Sequence, residues 1–429
     1  VRILLLGSGG REHAFAYVIA KSPLCTKLFI APGNPGTEKH GENIHIPVTD
    51  FDAIRNFVLE QSIDMVVVGP EDPLVKGIYD FLSADPRTAQ VAVIGPSARG
   101  AQLEGSKDFA KSFMKKYGIP TARYEAFGAD EVSLAMEYVN RQPMPVVLKA
   151  DGLAAGKGVL ICETAAQAQQ GLAEMMLNKK FGAAGERVVI EEFLHGTEMS
   201  CFILTDGHEY VMLPSAKDYK RIGEGDQGLN TGGMGAISPV PFAGEPLMKA
   251  VEECIIVPVM NGLRQEQIVY KGFLYIGLMI SNGEPYVIEF NCRMGDPETQ
   301  VVLPRITTDL VDLMLAAHQG HLHQRRADVL PYAAVTIVLA SQGYPGEYEK
   351  GKLIENLALT RECLVFHAGT RRRMNGDIET SGGRVLSVTA FGRQLSDAKE
   401  LAIRNASLIM FEGKYFRRDI GDDVMNPAS

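Results

Sequence analysis

Short apolar runs that stop at glycine or proline set the rhythm of residues 1–100. Runs at 1–6, 28–31, 65–68 and 91–94 alternate with helical patterning. Runs of that length bounded by turn residues read as buried strands. Alternating with helices, they predict an α/β domain with a doubly wound parallel sheet whose strand ends carry binding loops. A helix is expected at about 106–117, with Ser106 as N-cap and Gly118-Ile119-Pro120 as its stop. Strands at 145–149, 159–162 and 188–192 flank a glycine-rich loop at 151–158 and a helical stretch at 164–178. From about 197 to 293 the pattern is strand-rich, broken by a long polar loop at 215–239. A helix at 310–317, strands at 333–339 and 385–390 and a helix near 396–410 complete the reading.

A chain of 429 residues has room for two to four domains, each with its own core. The formal charge of −9 argues against a nucleic-acid binder but leaves room for phosphorylated small molecules held by a few local cations. Six cysteines, none in a C-x-x-C pair, suit neither a zinc module nor a disulfide framework and point to a reducing cytoplasm. No stretch reaches the ~20 apolar residues that span a membrane, and the opening run is too short for a signal core.

The first loop, Gly7-Ser8-Gly9-Gly10-Arg11-Glu12-His13, follows a strand. Its third fingerprint position holds Glu12 rather than glycine, which disfavours a pyrophosphate and fits a single phosphate or sugar phosphate better. Loops 32–37 and 69–74 lie at neighbouring strand ends. Lys107 falls in the first turn of its helix, where a cation is disfavoured unless Asp108 compensates or a phosphate binds there. Lys149 ends an apolar run, so its stem is packed and its ammonium directed. The loop Asp151-Gly152-Leu153-Ala154-Ala155-Gly156-Lys157-Gly158 fails the spacing of a Walker A loop but suits a glycine flap over a triphosphate.

The sharpest constellation is Val287-Ile288-Glu289-Phe290-Asn291-Cys292-Arg293. On a strand Glu289, Asn291 and Arg293 share one face while Ile288, Phe290 and Cys292 pack on the other. A carboxylate and an amide oxygen are hard ligands suited to Mg²⁺, and the arginine beyond them is placed to stabilise a phosphoryl group in transit. The segment Lys217-Asp218-Tyr219-Lys220-Arg221, followed by Asn230-Thr231-Gly232-Gly233-Met234-Gly235, suggests a loop closing over an anionic substrate. His318, His321 and His323 have loose ligand spacing but read as an exposed helix end.

Taken together these segments resemble the glycinamide ribonucleotide synthetases (phosphoribosylamine–glycine ligases) of the ATP-grasp superfamily. The likeness is carried by eleven ordered segments from residue 7 to about 390, among them GSGGREHA, APGNPGT, VVLKADGLAAGKGV, KDYKRIGEGDQGLNTGGMGAISP and VIEFNCRMGDPETQ. It implies an N-terminal substrate domain at 1–104, an α+β ATP-grasp domain at 105–328 with a flap subdomain at about 121–188, and a small C-terminal domain at 329–429. It also implies that Lys107, Lys149 and the flap residues Gly152, Gly156, Lys157 and Gly158 meet the ATP phosphates. Glu191, Phe193 and Leu194 would hold the adenine, and Glu198 the ribose. Glu289 and Asn291 would bind Mg²⁺ or Mn²⁺, with Arg293 at the acyl-phosphate stage. Gly9, Gly10, Arg11, Glu12, Asn34 and the Pro70, Glu71, Asp72 and Pro73 loop would receive 5-phosphoribosylamine. Asp218, Lys220, Asn230 and Asp296 would be candidates for the glycine side, Asp218 and Lys220 with a catalytic part, and Gly232 and Gly233 would bind substrate. Tyr219, Leu229 and Met294 depart from the family pattern, which usually has His, Pro and Phe there.

The implied reaction joins glycine to 5-phosphoribosylamine through glycyl phosphate, releasing ADP and phosphate in purine synthesis. The implied partners are those small molecules, with no nucleic acid or membrane, for a monomer making at most transient contact with the enzyme that supplies its amine. Two rivals stand against this reading: another ATP-grasp enzyme such as a biotin-dependent carboxylase subunit, and a nicotinamide-dependent dehydrogenase or nucleotide sensor.

Overall fold

The computed structural model describes residues 1–152, 158–178 and 187–425. Its N-terminal strands Arg2–Gly7, Lys27–Pro32, Glu42–Asn43, Met65–Val68 and Ala92–Pro96 are parallel. Their spatial order places the third, second, first, fourth and fifth side by side. That is the doubly wound arrangement, in which the crevice lies beyond the carboxyl ends of the strands where the order reverses. The strands are buried on both faces because helices cover them: Leu4, Leu6, Val66 and Val68 pack into one core and Ile3, Leu5, Met65 and Val67 into another.

The sheet does not stop at its fifth strand. The long strand Tyr270–Ser281 starts antiparallel to Ala92–Pro96, pairing Tyr270 with Pro96 and Lys271 with Gly95. Farther along it pairs with Glu284–Asn291 on one side and Thr197–Thr205 on the other. One strand therefore ties the N-terminal loops to the polar strand Glu284–Asn291. Beyond Thr197–Thr205 the sheet continues through Tyr210–Asp218, Gly235–Ser238, Ala333–Ser341, Arg384–Gly392 and Cys363–His367.

A separate four-stranded antiparallel sheet is built from Tyr124–Gly128, Arg187–Glu192, Val146–Ala150 and Val159–Cys162, in that spatial order. It has its own core, in which Phe127, Leu148 and Ile190 pack against Ala168 and Leu172 of the helix Ala165–Leu172. The helix Lys107–Tyr117 leads into it. Ser106 caps that helix by accepting from Phe109 N at 3.1 Å, and Gly118 closes it at φ 69°. The left-handed φ explains why glycine stands there.

Candidate active site

The strand Glu284–Asn291 lies at the centre. A bulge in its pairing sets Val287 opposite Leu278 and Glu289 opposite Gly277, leaving Ile288 as the extra residue. Val287, Phe290 and Cys292 are buried while Ile288 is only half-buried. The expected packing face of Ile288, Phe290 and Cys292 is corrected at its first member, because the bulge gives that core place to Val287. Glu289 and Asn291 keep their alternation on the half-open side.

Arg293 comes two residues after the strand ends, so carboxylates rather than the pleat hold it. Its Nη2 donates to Glu104 Oε1 at 2.6 Å, and its Nε lies 3.3 Å from Glu71 Oε2. Glu104 also accepts the backbone N–H of Cys292 at 2.8 Å. Burial opposes the charge on Arg293, but Glu104 and Glu71 outweigh it and keep the guanidinium protonated. From the other side, Arg11 Nη1 lies 4.0 Å from Glu71 Oε2. Burial would raise the Glu71 carboxyl, yet Arg293 and Arg11 hold it down at about 2.

Lys149 Nζ lies 2.9 Å from Glu191 Oε1 and donates to Ile288 O at 3.1 Å, so its ammonium bridges the flap sheet and the polar strand. The other Glu191 oxygen is 3.2 Å from Lys111 Nζ. Burial lowers Lys111 to about 8 against the pull of Glu191. Burial likewise lowers Lys107, with Glu289 opposing. Glu289 itself resists burial because Lys220, Lys149 and Lys107 together draw it below the usual carboxylate range. Three ammonium groups thus favour the charged form of Glu289.

The N-terminus of the helix Lys107–Tyr117 carries an anion supplied by the chain itself. Asp151 Oδ1 accepts from Lys107 N at 2.6 Å and Asp108 N at 3.3 Å. Asp108, one of the two groups weighed as offsetting Lys107, pairs with Arg187. Lys107 Nζ donates to Gly152 O at 2.9 Å, and Gly158 O accepts from Ala150 N at 2.8 Å. Gly156 and Lys157 lie outside the described residues. Phe193 and Leu194 follow the last residue of the strand Arg187–Glu192, so their peptide groups lie beyond the ladder. That is the position from which a backbone can meet a planar base.

Glu198 is 2.9 Å from Lys220 Nζ, and Asp218 is 4.0 Å from it. Burial followed by the opposing pull of Lys220 leaves Asp218 above its ordinary range, and burial with Asp218 as neighbour raises the buried Glu298. The loop that continues from Lys220 is fastened by the end of the fold. Tyr219 Oη donates to Asp423 at 2.6 Å, Gly225 N to Asp419 at 2.8 Å, and Arg417 Nη1 to Arg221 O at 2.9 Å. Tyr219 is thereby a buried anchor. Asn230 pairs with Arg221 at the end of that hairpin. Leu229 is 65% exposed, so the departure there alters no core.

The N-terminal loops meet the same centre. Glu12 accepts from Gly9 N at 2.6 Å and from Arg11 Nε at 2.6 Å. A Cβ on Gly7 would come 2.3 Å from Glu12 Cγ, and one on Gly69 would come 2.2 Å from Glu12 Oε1. Those two glycines make room for the Glu12 side chain, which takes the place a ligand anion would have at Gly9 N–H. Asn34 uses its amide on the backbone: Nδ2 donates to Ser8 O at 2.8 Å and His367 O at 2.9 Å, and Oδ1 accepts from Gly36 N at 2.8 Å. Of the third loop, Pro70 caps the short helix Glu71–Val75, Pro73 is buried, and Asp72 faces outward to Lys76 Nζ at 2.9 Å. Glu71 alone reaches the arginines. Gly10 is pressed against Gln300.

Asp296 closes the ring. Its Oδ1 accepts from Gln300 Nε2 at 2.7 Å, and its Oδ2 lies 3.1 Å from Arg384 Nη2. Gly232 and Gly233 pack close by: a Cβ on Gly232 would be 2.9 Å from Arg384 Cζ, and Gly233, at φ +115°, abuts Pro297.

The donor set on Glu284–Asn291 fits a divalent cation with few protein ligands. Glu289 and Asn291 are one carboxylate and one amide, and among the described residues no group of three or more His, Cys, Asp or Glu could hold a metal alone. The remaining positions would fall to phosphate oxygens and water, the usual habit of Mg²⁺. Sequence reading missed Glu104, Lys111, Glu298 and Arg384. Glu104 and Lys111 stand in or beside the segment GAQLEGSKDFAK, where a buried charge on an amphipathic helix gives the only hint.

Comparison with known proteins bears on this arrangement. Family models described as the phosphoribosylglycinamide synthetase N domain, ATP-grasp (A) domain and C domain match residues 1–104, 105–299 and 334–423. A phosphoribosylamine–glycine ligase of Chlorobaculum tepidum is 48% identical over 429 residues, 98% of this chain and 99% of the relative. One from Pasteurella multocida is 45% identical over 425 residues, 98% and 97% of the two chains. The crystal structure of phosphoribosylamine–glycine ligase from Thermotoga maritima superposes with a TM-score of 0.85 at 37% identity, covering 98% of this chain and 100% of that one. The biotin carboxylase domain of a Hydrogenobacter thermophilus 2-oxoglutarate carboxylase shares the fold at a TM-score of 0.72 and 16% identity, covering 99% of this chain and 94% of that one.

Proposed function

The chain belongs to the phosphoribosylglycinamide synthetase family, and from that premise we propose which of its residues carry each part of the family's reaction. The enzyme uses ATP to join glycine to 5-phosphoribosylamine, giving 5′-phosphoribosylglycinamide, ADP and phosphate. A carboxylate oxygen of glycine attacks the γ-phosphorus as ADP leaves, forming glycyl phosphate. The amine nitrogen then attacks the acyl carbon, the bond to phosphate breaks, and the nitrogen gives up a proton. Both steps need positioning and charge neutralisation more than covalent help from side chains.

Lys107 and Lys149 take the triphosphate, with Gly152, Gly156, Lys157 and Gly158 over it. Glu191 fixes Lys149 and Lys111, while the backbone at Phe193 and Leu194 meets the adenine and Glu198 the ribose. Glu289 and Asn291 hold Mg²⁺ or Mn²⁺, which when bound draws charge from the phosphate oxygens. Arg293, neutralised at rest by Glu104 and Glu71, faces the transferring phosphoryl and acyl phosphate. Asp218 and Lys220 line the glycine side with Asn230. Arg11, Glu71 and the Gly9–Gly10 turn form the amine side, braced by Glu12 and Asn34. Pro70, Asp72 and Pro73 shape the loop that presents Glu71. On this scheme residues 1–104 receive the amine, 105–328 the ATP and glycine, and 329–429 brace both.

One observation carries the assignment: Lys149 Nζ donates to Ile288 O between the flap sheet and the strand of Glu289 and Asn291. Phosphate-binding cation and metal-type donors thus share one wall. The free state of all six cysteines supports a reducing cytoplasm, and no helix among the described residues is long and apolar enough to cross a membrane. The deciding experiment measures ADP release with glycine and phosphoribosylamine each omitted in turn, in the unmodified enzyme and in Arg293→Ala. Dependence on both substrates, lost in the variant, is the expected result. Equal ADP release with bicarbonate in place of glycine would overturn the assignment.

A further inference from the structure

Arg384 opens the strand Arg384–Gly392, far from every other residue of the site in sequence, yet its guanidinium joins two separate segments of the site. Nη1 donates to Gly232 O at 2.7 Å and to Asp296 O at 2.6 Å, with Gly233 O at 3.4 Å. Nη2 lies 3.1 Å from Asp296 Oδ2. Gly232 N in turn donates to Tyr344 Oη at 2.9 Å, so both backbone polar groups of Gly232 are held by side chains that come later in the chain. Asp296, a glycine-side candidate by resemblance, lies against the loop assigned to the amine: a Cβ on Gly9 would lie 3.5 Å from its Oδ2, and we take it as an amine-side residue. Burial opposes the Asp296 charge, but Arg384 and then Arg11 hold the carboxyl below its ordinary range.

We propose that Arg384 is a positioning residue for the amine acceptor, working through Asp296 and the Gly232–Gly233 turn; this rests on the assignment of the Gly9–Glu12 loop to phosphoribosylamine. A guanidinium suits the task because it is a planar fork with several donors in fixed directions, able to satisfy two carbonyls and a carboxylate together. Lysine keeps the charge but offers a single point, so it cannot hold both carbonyls and the carboxylate in register. Neither Lys149, Lys107 nor Glu289 touches this junction, so the ATP half of the reaction does not depend on it. The C-terminal strands thereby enter the second chemical step, acyl transfer to nitrogen, and not the first.

The test is steady-state kinetics of Arg384→Lys and Arg384→Ala, varying each substrate in turn and counting ADP against phosphoribosylglycinamide. Loss of a charge-assisted hydrogen-bond set predicts a fall of about 10- to 100-fold in kcat/KM for the amine. The KM values for ATP and glycine should stay within about twofold, since their groups keep all their partners. ADP should form in excess of product, because glycyl phosphate without an aligned acceptor is cleaved by water to glycine and phosphate, freeing the site for another ATP. A loss shared equally among the substrates, a loss falling on glycine, or no loss would overturn the proposal. So would failure of both variants to fold, which would make Arg384 a strut only. If the unmodified enzyme releases no ADP with glycine and the amine, the ligase assignment fails instead, whatever the variants do.

Discussion

Glu104 Oε1 stands 2.6 Å from Arg293 Nη2, and the same carboxylate accepts the backbone N–H of Cys292 at 2.8 Å. One side chain therefore fixes both the direction of the arginine and the peptide that carries it. Removing its charge while keeping its shape should loosen Arg293 without touching the ATP phosphates. Glu104→Gln is expected to lower kcat by about 10- to 100-fold, the worth of a charge-assisted hydrogen bond. KM for ATP should hardly move. Kinetics beside a thermal melt check this, and a fall in ATP affinity equal to the fall in kcat would refute it.

Glu71 links the fold to acid. Its folded value of about 2 lies below the ordinary 4.5 because Arg293 and Arg11 outweigh burial. Across that window the unfolded chain binds more protons than the folded one, so the contribution is whole above pH 4.5 and disappears as pH falls through about 2. Urea midpoints at about pH 6 and about pH 3 should therefore separate more in the unmodified enzyme than in Glu71→Gln. Identical separations would show that the arginines do not hold this carboxyl.

Glu289 and Asn291 make a direct prediction about metal. Chelation should abolish turnover and added Mg²⁺ should restore it. Glu289→Gln should raise the Mg²⁺ concentration for half-maximal activity by about tenfold or more, since one of few protein ligands loses its charge. Titration of activity against free Mg²⁺ reads this out. An unchanged midpoint would remove Glu289 from the metal site.

Gly69 and Glu12 should behave as a pair. A methyl at Gly69 would sit 2.2 Å from Glu12 Oε1, so Gly69→Ala should cost about 1–3 kcal/mol as an overpacked site does. In a Glu12→Ala background the collision partner is gone, and the added cost of Gly69→Ala should fall well below its single-variant value. Denaturant melts of the four proteins measure the coupling. Strict additivity would mean the glycine is there for another reason.

The fold was legible in the parts where one period governs. Four apolar runs ending at glycine or proline became four of the five parallel strands, the short Glu42–Asn43 going unread, and Ser106 and Gly118 bracketed their helix as capping rules require. Alternation placed Glu289 and Asn291 on one face and Phe290 on the other. It failed at Ile288, because a bulge inserts one residue and period-two counting has no means of seeing it. Lys107 shows a second limit. The anion at its helix end is Asp151, forty-four positions later, and not the adjacent Asp108. Arg384 shows a third: nothing near it in sequence names Gly232 or Asp296 as its partners, and only the long antiparallel sheet brings them together. Glu104 and Lys111 stayed hidden because a buried charge reads, in one dimension, like any polar residue on a helix.

The fastening of the loop after Tyr219 by Arg417, Asp419 and Asp423 has a consequence for how the protein is made. A ribosome delivers the loop almost two hundred residues before its clasps. Until residues 417–423 are made, the loop after Tyr219 lacks these clasps.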